Sequence, residues 1–128
     1  MWAKDIDGNR TGGPLRMNQG TGICTDDRGN VYAAGFFQGV LGFGTDSFRS
    51  YMSWNGLLVK YDSVGKLLWA RQVTDGASCA CSGICLDWKH NVIVTGYHSG
   101  QGISVFTAKY DAGGARLWYR NTDTPHGT

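Results

Sequence analysis

The sequence predicts an all-β fold in which a four-stranded antiparallel unit occurs twice. Twenty glycines against two prolines, with five tryptophans and six tyrosines among 128 residues, indicate many tight turns between aromatic-rich strands. The second observation is a repeat. GICTDDRGNVYAAGFF, from Gly22, and GICLDWKHNVIVTGYH, from Gly83, share their pattern at an offset of 61 residues.

The second half of each unit also repeats, at a shorter offset. LLVKYDSVGKLLWARQV, residues 57–73, matches FTAKYDAGGARLWYRNT, residues 106–122, at an offset of 49. The second unit therefore lacks 12 residues, which the first unit carries within the segment QGVLGFGTDSFRSYMSWNG. Trp2 and the two residues after it match Trp69 and its successors, so the chain opens within the last strand of a preceding unit.

Each unit reads as four short strands separated by turns. The strands are GICTD, NVYAAGFF, LLVKYD and KLLWARQV in the first unit, and GICLD, NVIVTGYH, VFTAKYD and RLWYRN in the second. The links DDRGN, DSVGK and DAGGA place an aspartate ahead of a glycine. The carboxylate accepts a local N–H bond there and the glycine supplies positive φ, so we predict hairpin turns.

Both faces of these strands need cover. In NVYAAGFF, apolar residues occupy both alternating sets of positions, which a sheet with one face in water does not tolerate. Four-stranded units covered on both faces and joined by short connections are typical of β-propeller blades, which stack around an axis. We predict two blades plus one extra N-terminal strand. Residues 1–16 form this leftover outer strand and a linker, residues 17–73 the first blade with a long inserted loop, and residues 74–128 the second blade.

These motifs resemble the SBBP-type β-propeller repeat of bacterial proteins. Its units run from a GIATD-like start through a GNVYVTG strand, an FG and later SxG segment, and FVAKYDxxG to a closing LWAK. The likeness covers nearly the whole chain, although the second copy lacks the FG segment and has KHN in place of a GN turn. The resemblance implies a binding or scaffolding propeller, often secreted or on the cell surface, but it implies no single ligand and no catalytic residues.

Two blades do not close a ring, since closed propellers have about four to eight blades. An open stack would leave wide apolar blade faces in water. We expect copies of the chain to self-assemble into a homo-oligomer that completes the ring. Two alternatives are that the chain is a fragment of a larger secreted propeller protein, as its start in mid-unit indicates, or that it docks on a different protein.

Repetition separates candidate structural residues from candidate functional ones, because a residue present in both units is most simply explained by the blade itself. The repeated turn caps and packing aromatics expected to be structural are Trp2, Trp69, Trp118, Asp26, Asp87, Asp62 and Asp111. Tyr51 and Trp54 in the inserted segment, and Trp88 and His90 in a turn, do not repeat. They are candidate ligand residues, for example for a carbohydrate ring that stacks on an indole, or they pack on the blade or an oligomer contact.

The cysteines leave several alternatives open. Cys24 and Cys85 are equivalent, and we expect both to be small buried side chains. Cys79 and Cys81 have no counterpart, and with Cys85 they form a C-x-C-x3-C string whose nearest further ligand is His90. Structural zinc requires four ordered ligands, so we predict thiols or disulfides of undetermined pairing, with no metal and no cofactor.

Composition and motifs also exclude several classes of function. The net charge of +2, without a lysine or arginine cluster, argues against nucleic-acid binding. No apolar run of about 18 residues and no signal-peptide core are present, so we expect no membrane insertion. The three histidines follow no nucleophile–base motif, so we predict that the chain is not an enzyme.

Overall fold

A computed structural model describes residues 17–43, 46–74, 78–99 and 103–122 of the chain. Within these ranges it contains eight strands and no helix. The strands are β1 Met17–Thr25, β2 Val31–Phe43, β3 Asp46–Tyr61, β4 Leu67–Val73, β5 Ser78–Leu86, β6 Val92–Ser99, β7 Ile103–Tyr110 and β8 Arg116–Asn121. The predicted N-terminal strand, with Trp2, lies outside the described residues.

The strands pair in chain order into two antiparallel sheets, β1 to β4 and β5 to β8. We call them the first blade and the second blade. The predicted all-β fold with two four-stranded, blade-like sheets is confirmed. The described ranges contain no helix that is long and apolar enough to cross a membrane.

Four hairpin turns of one design connect the paired strands. These Asp turns run from Asp26 to Asn30, Asp62 to Lys66, Asp87 to Asn91 and Asp111 to Ala115. In each turn, Oδ1 of the leading aspartate accepts two backbone N–H bonds, as at Asp26, where Arg28 and Asn30 donate at 2.9 Å. The side chain thereby satisfies backbone donors that the hairpin leaves unpaired.

The fourth residue of every Asp turn has positive φ. It is glycine in three turns, with φ between 83° at Gly29 and 92° at Gly114, and it is His90 in the remaining turn, with φ 65°. The KHN departure from the repeat pattern therefore leaves the turn unchanged, because His90 adopts the left-handed backbone that glycine adopts elsewhere.

The inserted segment of the first blade is a paired arm rather than the expected loop. Beyond a register shift between Phe37 and Gly39, β2 and β3 continue to pair from Gly39 with Ser50 to Phe43 with Asp46. Pairing satisfies the backbone polar groups that an open loop of this length would leave to water.

A β-bulge interrupts the first strand of each blade. The register shifts between Gly20 and Gly22 in β1, and between Cys81 and Gly83 in β5. A bulge inserts one extra residue, so residues on its two sides exchange faces. This exchange places Cys85 on the opposite face of the second blade from Cys81.

The two blades stack face to face, with β5 packed across β1, β2 and β3. The buried cluster between them contains residues of both blades: Tyr32, Ala34, Leu58 and Val73 from the first, and Cys79, Cys81, Val92, Val94, Phe106, Ala108 and Tyr110 from the second. Thr21 Oγ1 also donates to the carbonyl of Cys81 at 2.7 Å. One apolar core is therefore shared by the two blades.

The two outer faces differ. Phe37, Leu57, Val59 and Tyr61 form a buried cluster on the outer face of the first blade. On the outer face of the second blade, Cys85 is exposed. Its equivalent Cys24 lies on the inner face of the first blade and is partly buried. The expectation that both cysteines are buried is wrong for Cys85, because among the described residues no sheet covers this face.

Candidate functional site

Among the described residues, no sheet covers the outer face of the second blade. We call it the open face. Strand pairing assigns to it Cys85, Ile93, Thr95, Tyr97, Val105, Thr107, Lys109, Trp118 and Arg120. Tyr97 is 60% exposed, Val105 49% and Trp118 36%. Such a group of large apolar side chains on one face is typical of an interaction surface.

The equivalent face of the first blade is its inner face, and it shows what covers such a surface. Tyr32 and Leu58, which are equivalent to Ile93 and Thr107, are fully buried against the second blade. The residues of the open face are thus equivalent to residues of the first blade that lie in the interface between the blades. Thr107 and its neighbour Thr95 make the open face more polar than its counterpart.

Three side chains of the first blade bind the last Asp turn of the second. Lys60 Nζ and Trp69 Nε1 donate to the carbonyl oxygen of Ala112 at 3.1 and 3.0 Å, and Arg71 Nε donates to that of Gly114 at 2.7 Å. We call Lys60, Trp69 and Arg71 the clamp. All three donors bind main-chain acceptors, so the clamp recognises the shape of a turn rather than its side chains.

Aromatic rings support the cations of the clamp. Lys60 Nζ lies 5.0 Å from the centroid of the Tyr32 ring, and Arg71 Cζ lies 5.3 Å from that of Trp69. Cation–π contact offsets part of the desolvation cost of a buried ammonium such as that of Lys60. The clamp is thus held in place within the first blade.

A shallow groove of about 420 Å³ lies beside the clamp, lined by Arg71, Gln72, Tyr110, Gly113, Gly114, Ala115 and Arg116. Its two guanidinium groups bond main-chain carbonyls, Arg71 at Gly114 and Arg116 at Thr74, the latter at 2.9 Å. These bonds join the blades to each other and to the link between them. The groove is therefore part of the interface between the blades.

Trp88 and His90 lie together in the Asp turn between β5 and β6. Trp88 is 85% exposed, with Lys89 Nζ 5.0 Å from the centroid of its ring. His90 Nε2 lies 3.3 Å from Asp27 Oδ1, so this turn is next to the equivalent turn of the first blade. An indole at such a tip is accessible to a ligand.

Trp54 lies at the other end of the strands. Its backbone N–H donates to Ser78 Oγ at 2.8 Å, and its ring packs edge to face on Phe36 with 5.0 Å between centroids. Ser78 begins the nine-residue strand β5, and Trp88 follows its end, a separation on the order of 25 Å at about 3.3 Å per residue. The structure does not bring Trp54 and Trp88 together. The backbone of Tyr51 belongs to β3, and its side chain lies outside the described part of the chain.

The carboxylates of Asp26 and Asp87 act as acceptors within their own turns. Partial desolvation raises the pKa of each group, but hydrogen bonds outweigh it and the pKa of both is lowered. The donors include the backbone and amide N–H groups of Asn30 for Asp26, and those of Asn91 together with Lys109 Nζ for Asp87. Carboxylates held ionised in this way do not exchange protons near neutral pH.

The cysteines of the C-x-C-x3-C string do not all lie on one face of the sheet. All four cysteines are thiols. Cys79 and Cys81 are buried between the blades, whereas Cys85 faces the other side of the sheet. Burial raises the pKa of the Cys81 thiol to about 12. Within the described ranges, no group of three or more histidine, cysteine, aspartate or glutamate side chains is placed to hold a metal ion.

Comparison with known proteins is consistent with this architecture. No protein-family model matches the chain. It is 26% identical over 124 residues to an uncharacterized WD repeat-containing protein of Acanthamoeba polyphaga mimivirus, an alignment that covers 83% of this chain and 8% of that relative. The chain thus spans only a small part of the relative's length. Similarity to a WD repeat protein, together with two blade-like sheets, indicates a β-propeller-type repeat.

Proposed function

We propose that the chain is a non-catalytic β-propeller scaffold, and that copies of it associate through the open face to complete a ring of blades. The observation that supports this is the exposure of Tyr97, Val105 and Trp118 on a sheet face whose counterpart in the first blade is covered by another blade. The order of the motifs supports an SBBP-type, bacterial repeat. We also propose residues 17–73 and 74–128 as the two blade units, preceded by a leftover strand within residues 1–16.

The composition of the open face determines how strong this association should be. Burial of apolar surface stabilises an interface by roughly 25 cal/mol per Å². Thr95 and Thr107 stand where the first blade has the buried residues Ala34 and Leu58. Contact through the open face is therefore weaker than contact between the two blades of one chain, and we expect association to depend on concentration.

Light scattering over a range of concentrations tests the proposal. We expect a molar mass that rises from 13.9 kDa towards a defined multiple of that value. Val105→Arg places a charge on the open face and should shift the chain towards the monomer. Leu68→Arg is the control, because Leu68 is 46% exposed on β4, outside both the open face and the Asp turns. A mass of 13.9 kDa at every concentration would show the proposal to be wrong.

The exposed indole of Trp88 supports a second candidate function, a carbohydrate-binding propeller. A sugar presents an apolar C–H face that stacks on indole rings. Titration with a panel of monosaccharides and oligosaccharides should change the tryptophan fluorescence of the chain, and Trp88→Ala should abolish the change. Trp54→Phe is the control, since Trp54 packs on Phe36. An unchanged spectrum with every sugar would contradict this function.

A further inference from the structure

The open face contains a second set of the three clamp residues. Lys109, Trp118 and Arg120 follow Lys60, Trp69 and Arg71 at the offset of 49 residues. Lys109 pairs with Trp118 across β7 and β8, as Lys60 pairs with Trp69 across β3 and β4. The three side chains therefore stand in the same relative places on the sheet in both blades. In the first blade, all three side chains donate hydrogen bonds to the last Asp turn of the second blade.

The second set also has the local geometry of the first. Arg120 donates from Nη1 to the carbonyl of Tyr119 at 3.0 Å, as Arg71 does to that of Ala70 at 2.7 Å. Arg120 Cζ lies 5.9 Å from the centroid of the Trp118 ring, which repeats the contact of Arg71 with Trp69. Both guanidinium groups are thus held by contacts within their own strand. Binding of a turn would therefore cost little additional side-chain entropy.

The two sets differ in what their donors reach. Lys60 Nζ crosses to a carbonyl of the next blade, whereas Lys109 Nζ pairs with Asp87 Oδ2 of its own blade at 3.0 Å. Trp69 Nε1 has an acceptor at Ala112. Trp118 Nε1 makes no hydrogen bond to another described residue. An indole that is 36% exposed and has this free donor is suited to an acceptor on a partner.

The first blade carries a turn of the kind that the clamp binds. In the turn from Asp62 to Lys66, Asp62 Oδ1 accepts two backbone N–H bonds at 3.0 and 2.9 Å, and Gly65 has φ 89°. The turn from Asp111 to Ala115 has the same bonds, and Gly114 has φ 92°. Val64, at the tip of the first of these turns, is 75% exposed, so this turn projects into solvent.

We propose that Lys109, Trp118 and Arg120 form a second clamp, which binds the turn from Asp62 to Lys66 in a second copy of the chain. The inference rests on the proposed function, because the clamp acts only when another blade covers the open face. The carbonyls of Ser63 and Gly65 stand at the turn positions of Ala112 and Gly114. Binding of this turn repeats the step from the first blade to the second, which is the geometry that extends a stack of blades in one direction.

Removal of one donor tests the clamp. Trp118→Phe keeps an aromatic ring and deletes the N–H group. We expect it to raise the dissociation constant of the full chain, measured by light scattering and sedimentation, on the order of tenfold for one lost bond at a desolvated contact. Arg120→Gln should act in the same direction. Trp54→Phe, the same substitution at an indole that packs on Phe36 within the first blade, should leave the dissociation constant unchanged.

The outcomes separate this inference from the proposed function. If the unsubstituted chain stays monomeric at every concentration, the proposed function fails and the second clamp fails with it. If the unsubstituted chain associates but neither Trp118→Phe nor Arg120→Gln weakens association, the scaffold proposal stands and the clamp is wrong. Thermal unfolding of each variant at low concentration checks that the monomer is intact. Trp69→Phe should lower that unfolding midpoint, because Trp69 binds within the chain.

Discussion

At the scale of single residues, the Asp turns show how a repeat tolerates substitution. Three of the four turns place glycine at the left-handed position, and the fourth places His90 there. The left-handed backbone costs a residue other than glycine roughly 1–2 kcal/mol. The exposed contact of His90 with Asp27 offsets at most a small part of that cost.

We predict that His90→Gly raises the free energy of unfolding by about 0.5–1 kcal/mol, because relief of the strain exceeds the added entropy of the unfolded chain. Urea unfolding followed by tryptophan fluorescence measures the change. Gly29→Ala is the matched control at the equivalent position, where φ is 83° and a Cβ would lie 3.1 Å from that of Ser63. It should destabilise the chain. A His90→Gly variant less stable than the original would contradict the role assigned to the backbone.

The capping carboxylates predict how stability depends on pH. The pKa of Asp26 and of Asp87 is lowered in the folded chain, whereas an unfolded aspartate has a pKa of about 3.9. The stability that these groups contribute is thus fully present above about pH 4 and is lost as pH falls through the folded values.

Thermal unfolding between pH 7 and pH 2.5 should show a midpoint that is nearly constant down to about pH 4 and then falls. The variant Asp26→Asn, Asp87→Asn should begin with a lower midpoint and lose less of it in acid. A decline in the original chain that is just as steep in this variant would show that other groups cause the pH dependence.

At the scale of strands, the bulges in β1 and β5 explain one pair of repeated glycines. A Cβ at Gly35 would lie 2.1 Å from the carbonyl oxygen of Gln19, and a Cβ at Gly96 would lie 1.9 Å from that of Ala80. Backbone atoms cannot yield as a flexible side chain can. The neighbouring strand is thus close enough at each bulge that only glycine fits.

We predict that Gly96→Ala lowers the free energy of unfolding by about 3 kcal/mol or more, because β5 must move away from β6. Urea unfolding measures the loss. Gly20→Ala serves as control, since a Cβ there meets nothing within 4 Å. Equal effects of the two substitutions would mean that the close approach at the bulge is not what requires glycine.

Element boundaries divide into those that sequence predicts well and those that it does not. The strands of both blades and the Asp turns follow from alternation and from turn residues, which are local signals. The arm formed by β2 and β3 was expected as a loop. Its two halves pair only with each other, and the second unit has no equivalent residues that would reveal the pairing. The exposure of Cys85 was missed for a different reason, since the sequence does not show that no described sheet covers this face of the second blade.

At the scale of the whole molecule, the blades are not interchangeable. One face of the first blade is covered by the second blade, while the equivalent face of the second blade exposes Tyr97, Val105 and Trp118. This asymmetry gives the chain a direction, and the proposed association and the second clamp follow from it. Heterologous contacts of this kind close into a ring only when the rotation per step allows it.

Sequence alone determined the repeat, the two blades and eight strands of the described ranges, and three of the four Asp turns, because each of these depends on residues close together in the chain. It also offered Trp88 and Trp54 as one class of candidate ligand residue. Only the tertiary structure decided that these two lie at opposite ends of the strands. It alone revealed the clamp, because Lys60, Trp69 and Arg71 read as repeated blade residues until the carbonyls of Ala112 and Gly114 are placed beside them. The clamp residues and their equivalents in the second blade are the same in sequence. Only the packing of one blade on the next distinguishes them, because it covers the first three residues and leaves the other three on the open face.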